Sequence, residues 1–411
     1  LVRPTKRARV EVEEGQTVLL EAESASELLE LNAKLLALRQ YIEERGQATK
    51  KEFKSARADW KLSIVRSRLA LNVFEHIGKL NHPALIWRNT IVTYVGEDGI
   101  DEGGLTADLH SSFWREVLQP NLGLFEQLSE GGAYLPRADA DLETLKLVGC
   151  FLLKSVLDDH PTGSALSAFI LEYVSGAHET RAFRDEHPRY ALQLLWNVDM
   201  ALAQSWSKLL YMSDDELSTL MLSLTDFDDS LMDEPLTHSN VAHAVVSGCR
   251  RKLLTDRQNS LAALRNGFTL DGKLDLGIQL AQHRNADISM LLQGNAVLST
   301  EDLFDCFDWS EDPPCSPAVA YLRELIQDAN ALDVHHRLLL LRFCTGLNAL
   351  SVSGLARRVT FNLLEKPGGL PEPHTCSHEL DLPAYSSKGE TLAKLMLALD
   401  SFDADPSFGQ Q

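Results

Sequence analysis

The spacing of apolar residues changes once along this chain, and that change constrains the fold more than any other feature. Up to about residue 308, apolar residues recur every three or four positions, which is the period of an amphipathic helix. The exception is Thr90–Val95, a β-branched and aromatic run that predicts a short strand. Beyond 315, helical stripes alternate with period-two segments at 359–363 and 379–382. We therefore predict an α+β protein with a mostly helical first lobe and a small α+β second lobe.

The division between the lobes is predicted at a polar interruption. Residues 309–314 read WSEDPP, with two acids and two prolines between apolar segments, which indicates a flexible hinge. This places the first lobe at 60–308 and the second at 315–411, after an N-terminal tail and amphipathic helix at 1–59. Because the sequence begins with Leu1, we expect it to be a fragment of a longer chain.

Two helices are predicted before the first strand. The first covers 24–46 and should end at Gly46. We expect it to pack its apolar stripe on the first lobe, and self-association through the stripe is the alternative. The stripe comprises Leu28, Leu31, Leu35, Leu38 and Ile42. The second pattern covers 60–88 and includes Leu69, Val73, Ile77 and Leu80.

The charge balance narrows the classes of partner. The chain has 411 residues and a net charge of −20, whereas a nucleic-acid binder needs a surplus of Lys and Arg to neutralise phosphates. No apolar run approaches the roughly 20 residues that a membrane span requires. We expect protein partners with basic faces, no nucleic acid and no membrane insertion.

The six cysteines show no C-x-x-C pair, which argues against a zinc ribbon or a redox motif and favours the cytosol or nucleus. A short basic run, KRAR at 6–9, resembles a localisation signal or a solvated tail. Cys150 and Cys344 stand in apolar helical runs and are predicted to be inert core residues. Cys249 precedes three basic residues, which could lower its pKa.

Cys376 stands in a loop between two predicted strands. His374 and His378 flank it two residues away on each side, so all three side chains project to one side if the segment is extended. An imidazolium beside a thiol favours the reactive thiolate. However, Cys376 shares the parity of core residues Leu380 and Leu382, so an accessible thiol requires a bend near 377–379. A buried loop cysteine and a three-ligand metal loop are the alternatives.

Short motifs resemble those of the catalytic domain of HECT-type ubiquitin ligases. LPEPHTC at 370–376 and LDLPAYSSK at 380–388 are similar to the family's L-P-x-x-x-T-C and L-x-L-P-x-Y-S-S-K. LRFCTG at 341–346 resembles L-x-F-x-T-G, and YVGEDGIDEGG at 94–104 resembles F-x-G-E-x-G-x-D-x-G-G. RNGF at 265–268 resembles R-x-G-F. Order and spacing agree over roughly residues 60–411.

The resemblance implies a bilobal fold in which an N-lobe binds a ubiquitin-conjugating enzyme and a C-lobe carries the nucleophile. The nucleophile maps onto Cys376, which would accept ubiquitin as a thioester and pass it to a substrate lysine. Phe408, fourth from the end of the sequence, stands where the family often has a phenylalanine that assists this transfer. We expect ubiquitin, the conjugating enzyme and protein substrates as partners, and no metal or other cofactor.

The departing lysine proton needs an acceptor or an orienting group. His374, Glu379, Asp381 and the carboxylate of Gln411 are the candidates, and the motif residue Thr375 is a further assisting candidate. Glu379 and Asp381 also fit the solvated face of a strand. Two other functions remain open, namely an inactive HECT-like interaction module and a cysteine hydrolase.

The sequence departs from the family in the first lobe. Ala107-Asp108 replaces the usual Arg-Glu, and the run G-R-x-x-G-K-A is reduced to GCFLLKS at 149–155. No family motif aligns within 200–245, where the conjugating enzyme is expected to dock. These departures leave the identity of the conjugating enzyme open.

Overall fold

The computed structural model describes residues 25–80, 82–97, 101, 103–163, 166–176, 183–185, 187–274, 276, 290–310, 316–364 and 368–404. The basic run at 6–9, most of the predicted hinge, Phe408 and Gln411 lie outside these residues. Within the described part, no helix has the length and apolar content needed to cross a membrane.

Helices dominate the first part of the chain. They are α1 (Ala25–Glu52), α2 (Leu69–Ile77), α3 (Gly104–Val117), α4 (Leu142–Leu157), α5 (Ala168–Ser175), α6 (Pro188–Val198), α7 (Met200–Leu209), α8 (Asp214–Thr219), α9 (Val241–Leu253) and α10 (Gln258–Phe268). Strands β1 (Trp60–Ile64) and β2 (Thr90–Tyr94) pair in parallel, and β3 (Phe125–Glu126) pairs antiparallel with β4 (Leu135–Pro136). The predicted strand at Thr90 is confirmed.

The N-terminal helix packs on this first part as predicted, since Leu35, Leu38 and Ile42 are buried in its core. The predicted end at Gly46 is wrong, because α1 continues to Glu52. Gly46 is a packing residue: a Cβ there would lie 2.9 Å from the Trp87 ring. The glycine thus allows the helix backbone to approach that ring closely.

The helical prediction over 60–88 is correct only for α2. Residues Trp60–Ile64 form β1, in which buried and exposed side chains alternate. In the register with β2, Trp60 lies opposite Thr90 and Ile64 lies opposite Tyr94. This pairing joins segments about 30 residues apart, so the helical spacing inside α2 carried no sign of it.

Two glycines from the motif segments bring α4 and α10 into backbone contact. A Cβ on Gly149 would lie 2.0 Å from the Leu264 carbonyl oxygen, and one on Gly267 would lie 1.9 Å from that of Lys146. Any side chain at either position would separate the helices. These glycines therefore serve the packing of the first lobe.

The second part begins with α11 (Thr300–Asp305), α12 (Pro317–Gln327) and α13 (Val334–Thr345). A three-stranded sheet follows, in the order β5 (Thr360–Leu364), β7 (Glu379–Pro383), β6 (Glu372–His374), and α14 (Lys388–Ala404) completes the lobe. Strand β7 runs parallel to β5 and antiparallel to β6. The predicted α+β character of the second lobe is confirmed.

The buried apolar residues form two separate clusters, one reaching Leu292 and the other beginning at Leu298. Trp309, in the predicted hinge, belongs with the second cluster: its ring stacks on Phe304 and its Nε1 donates to the Phe304 carbonyl at 2.8 Å. Residues 311–314 lie outside the described residues. The hinge at 309–314 therefore stays a prediction.

Candidate active site

The thiol of Cys376 lies on a hairpin turn between β6 and β7, which we call the thiol turn (residues 375–378). His374 pairs with Glu379 across the hairpin, and the Ser377 amide donates to the His374 carbonyl at 3.2 Å. His378 takes a left-handed φ of 52°. This turn is the bend that an accessible Cys376 requires, and it frees the thiol from the inward parity of Leu380 and Leu382.

Cys376 differs from the other described cysteines in its exposure. It is half-buried, whereas Cys150, Cys249, Cys306 and Cys344 are buried. Burial raises the pKa of Cys150 to about 11 and those of Cys249 and Cys306 to about 12, and it also raises the pKa of Cys344. The core assignments of Cys150 and Cys344 are confirmed. The basic residues that follow Cys249 do not lower its pKa, because burial of the thiol raises it.

The two histidines beside Cys376 have separate partners. His374 Nε2 lies 3.0 Å from Asp381 Oδ2, and His378 Nδ1 lies 2.8 Å from the Arg357 carbonyl oxygen. The segment is not extended beyond His374, so the expected alignment of three side chains does not occur. Within the described residues, no group of three or more His, Cys, Asp or Glu side chains has a metal-binding arrangement.

The carboxylates of β7 form a small polar network. Asn362 on β5 donates to Asp381 Oδ1 at 3.0 Å and to Glu379 Oε2 at 3.2 Å. Asp381 therefore joins the imidazole of His374 to the amide of Asn362. The contact with Asp381 orients the ring of His374, which lies two residues before the thiol in sequence.

Asp101 organises the start of α3 in the first lobe. Its Oδ1 accepts from the Gly103 amide at 2.9 Å, and its Oδ2 accepts from the Val92 amide at 2.8 Å and from Thr106 Oγ1 at 2.6 Å. One carboxylate thus ties β2 to the helix start and satisfies amides that the helix itself leaves unpaired. These hydrogen bonds give a structural reason for the aspartate at position 101, before the Gly103-Gly104 pair.

Asp108, which stands where the similar motif usually has a glutamate, also has a structural partner. Arg66 donates to Asp108 Oδ2 at 2.8 Å and to both Glu97 oxygens, at 2.5 and 2.9 Å, while its guanidinium lies 3.9 Å above the centre of the Tyr94 ring. Arg66 therefore connects β2, the motif residue Glu97 and α3. A carboxylate at position 108 fits this network.

The thiol turn packs directly on the first residue of α3. A Cβ on Gly104 would lie 2.5 Å from the Cys376 amide nitrogen and from the carbonyl carbon and oxygen of Thr375. Only glycine allows this backbone contact between segments 272 positions apart in sequence (376 against 104). Sequence reasoning identified both motifs but missed their contact.

A third motif segment meets the same helix. Ser111 Oγ donates to the Gly346 carbonyl oxygen at 2.6 Å, and Asn348 Nδ2 donates to the Ser111 carbonyl at 3.1 Å. Gly346, at a φ of 75°, lies so close that an added Cβ would be 3.3 Å from the Asp108 amide nitrogen. Three motifs therefore converge on α3.

A half-buried thiol on a turn, placed against the first lobe and two residues from an imidazole–carboxylate pair, suits acyl transfer through a cysteine. Comparison with known proteins identifies the family. A family model described as "HECT-domain (ubiquitin-transferase)" matches residues 111–405, which is more than half of the chain. The chain therefore belongs to the HECT-domain family.

Relatives agree with this assignment. A bifunctional serine/threonine-protein kinase/NEDD4-like E3 ubiquitin-protein ligase of Dictyostelium discoideum is 28% identical over 261 residues, which cover 63% of this chain and 13% of the relative. E3 ubiquitin-protein ligase UPL1 of Arabidopsis thaliana is 22% identical, covering 77% of this chain and 9% of the relative. The probable E3 ubiquitin-protein ligase hulA of Aspergillus flavus is 23% identical, covering 79% of this chain and 40% of the relative. The chain thus spans less than half the length of these relatives.

Proposed function

We propose that this chain is the catalytic region of a ubiquitin-protein ligase that carries ubiquitin as a thioester on Cys376 and transfers it to a substrate lysine. The observation that carries the proposal is the half-buried Cys376, on a turn that contacts the first lobe at Gly104, in a chain of the HECT-domain family.

The first step exchanges one thioester for another. The Cys376 thiolate attacks the carbonyl carbon that joins ubiquitin to the cysteine of a conjugating enzyme, and that cysteine leaves as a thiolate. The bond broken and the bond formed are of the same kind, so positioning of the two sulfurs controls the rate. The other described cysteines are buried with raised pKa values and cannot replace Cys376 in this step.

The second step forms an isopeptide bond. A substrate lysine amine attacks the thioester carbonyl, Cys376 leaves as a thiolate, and the amine loses a proton. We assign this proton to His374, which is exposed on β6 and is oriented by Asp381 at 3.0 Å. Glu379 faces Asn362 and serves the structure of the sheet.

The conjugating enzyme is proposed to dock on the segment 200–245. Five of the fourteen exposed large apolar side chains among the described residues lie there: Met200, Tyr211, Leu220, Met221 and Met232. Met221 is 91% exposed, and exposed apolar side chains are available for contact with a protein partner. The acidic balance of the chain suits a partner with a basic face.

The location of this protein in the cytosol or nucleus stays a prediction.

Transfer from a docked conjugating enzyme to Cys376 requires the second lobe to move relative to the first. Residues 293–297, between the two apolar clusters, are the proposed pivot, because apolar residues on both sides of the predicted hinge at 309–314 belong to the second cluster. The contacts of the second lobe with α3 are mostly polar, at Ser111, Asn348 and Gly104. Such contacts separate without exposing a large apolar surface.

The test is incubation with ubiquitin-charged conjugating enzymes, followed by a non-reducing gel. We expect a thiol-sensitive ubiquitin adduct on the unmodified chain and on Cys150→Ala, a matched control that removes a buried thiol. Cys376→Ala should form no adduct. An adduct that persists in Cys376→Ala would refute the proposal.

The two competing functions give different results in the same assay. An inactive interaction module binds charged conjugating enzyme without forming an adduct. A cysteine hydrolase releases free ubiquitin from chains in the absence of any conjugating enzyme.

A further inference from the structure

A cavity of about 850 Å³ opens in the first lobe, among the segments around α6 and α9 and the end of α7. It lies outside the thiol turn and its contacts. Cavities of this size are typical of small-ligand sites. Its lining includes two arginines and two histidines, Arg184, Arg189, His187 and His238.

The lining is cationic in a chain that is strongly acidic overall. Among the described residues that line the cavity there is no Asp or Glu. Within the described residues, no carboxylate forms an ion pair with Arg184 or Arg189. Two nearby carboxylates have other partners than these arginines: Asp185 lies 2.9 Å from His243 Nδ1, and Asp214 accepts from the amide of the lining residue His238 at 2.6 Å. The arginines thus keep their charge available to a ligand.

Two helix starts add to this positive potential. Pro188 and Val241, the first residues of α6 and α9, both line the cavity. The preceding residues, His187 and Asn240, make no side-chain cap to their helices. The amino ends of helices of 11 and 13 residues carry partial positive charge and attract anions.

The rest of the lining is aromatic and apolar. Tyr190, Tyr211, Leu210 and Ala242 line the wall. Arg189 Nη2 donates to the Tyr211 hydroxyl at 2.9 Å, and this tyrosine is 70% exposed, so it stands at the rim. A ligand that fills the cavity must therefore offer both an anion and an apolar or aromatic body.

We propose that this cavity binds a phosphotyrosine side chain presented by a peptide segment of a protein partner. The phosphate dianion would contact the guanidinium groups of Arg184 and Arg189, whose planar geometry matches phosphate oxygens. The phenyl ring would cover the apolar wall beside Tyr190. A phosphoserine would supply the charge and leave that wall exposed to water. The binding needs neither ubiquitin nor Cys376, so its test is independent of the proposed ligase activity.

The experiment measures binding of a short polar peptide to the whole chain by calorimetry, with phosphotyrosine, tyrosine or phosphoserine at its centre. We expect the phosphotyrosine peptide to bind at least about 30-fold more tightly than the tyrosine peptide, or about 2 kcal/mol at 1.4 kcal/mol per tenfold. It should also bind more tightly than the phosphoserine peptide. Equal binding of phosphoserine or of inorganic phosphate would overturn the assignment to phosphotyrosine.

The site is tested by the double variant Arg184→Gln/Arg189→Gln. It should lose at least about 30-fold in affinity for the phosphotyrosine peptide. Arg137→Gln is the matched control, because Arg137 is exposed and pairs with Asp139 away from the cavity. Affinity retained in the double variant, or tighter binding of adenosine monophosphate than of the peptide, would overturn the proposal. If the melting temperature of the double variant falls, the comparison of peptides on the unmodified chain still decides.

Discussion

The contact between the thiol turn and α3 gives a sharp prediction for Gly104→Ala. The added Cβ would lie 2.5 Å from the backbone of Thr375 and Cys376, whereas ordinary contacts begin near 3.4 Å. The turn must therefore retreat by about 0.9 Å, the difference between these distances. A misplacement of about 1 Å costs roughly 100-fold when reacting groups must be held in position.

We expect Gly104→Ala to slow discharge of ubiquitin from Cys376 to lysine by about 10- to 100-fold. Loading of Cys376 should change by less than about threefold, because the second lobe leaves α3 to meet the conjugating enzyme. The assay loads the thioester, quenches the conjugating enzyme and follows discharge to free lysine in a single turnover.

The matched control is Gly389→Ala in α14, where an added Cβ meets no atom within 4 Å. This variant should load and discharge at the unmodified rates. Discharge that is unchanged or faster in Gly104→Ala would refute the reasoning that the observed contact belongs to the transfer step.

The remaining predictions concern the proton path, the lobe contact and a buried histidine pair. Asp381→Asn should slow discharge about tenfold with loading preserved, whereas Glu379→Gln should change neither; equal effects would contradict the role of the His374–Asp381 pair. Ser111→Ala leaves the Gly346 carbonyl without its 2.6 Å hydrogen bond. A denaturant titration should show a free energy of unfolding that is lower by about 1–3 kcal/mol. An unchanged value would show that water replaces the hydroxyl. Burial and the stacked His110 lower the pKa of His160 to about 3. The unfolded chain therefore binds this proton more readily below pH about 6.5, and His160 should contribute a fall of about 2 kcal/mol to the free energy of unfolding between pH 7 and 5. His160→Gln should flatten this fall, and an unchanged pH profile would contradict the assignment.

The spacing of neighbouring residues predicted many of the helices and strands, because each of these elements depends on a few adjacent side chains. The strand at Thr90 and the two period-two segments of the second lobe follow from side-chain branching and alternation over a few neighbouring residues. The required bend after Cys376 followed from side-chain parity alone, and the turn at 375–378 is where the structure places it.

The errors arose where distant segments decide the outcome. Gly46 fits a helix end by itself, but contact with Trp87 makes it a packing residue within α1. Strand β1 forms through pairing with β2, about 30 residues away. Burial raises the pKa of Cys249, and its basic sequence neighbours give no sign of that burial. The contact of Gly104 with Cys376 joins two motifs, and no property of either one alone predicts it.

If Cys376 carries ubiquitin, intact-protein mass spectrometry of the chain after brief incubation with charged conjugating enzyme, followed by peptide mapping, will show it directly. We predict a mass increase of one ubiquitin that thiol treatment removes from the unmodified chain, and a thiol-resistant ester of the same mass in Cys376→Ser. A modification mapped to any other residue, or the same thiol-sensitive increase in Cys376→Ser, would contradict it.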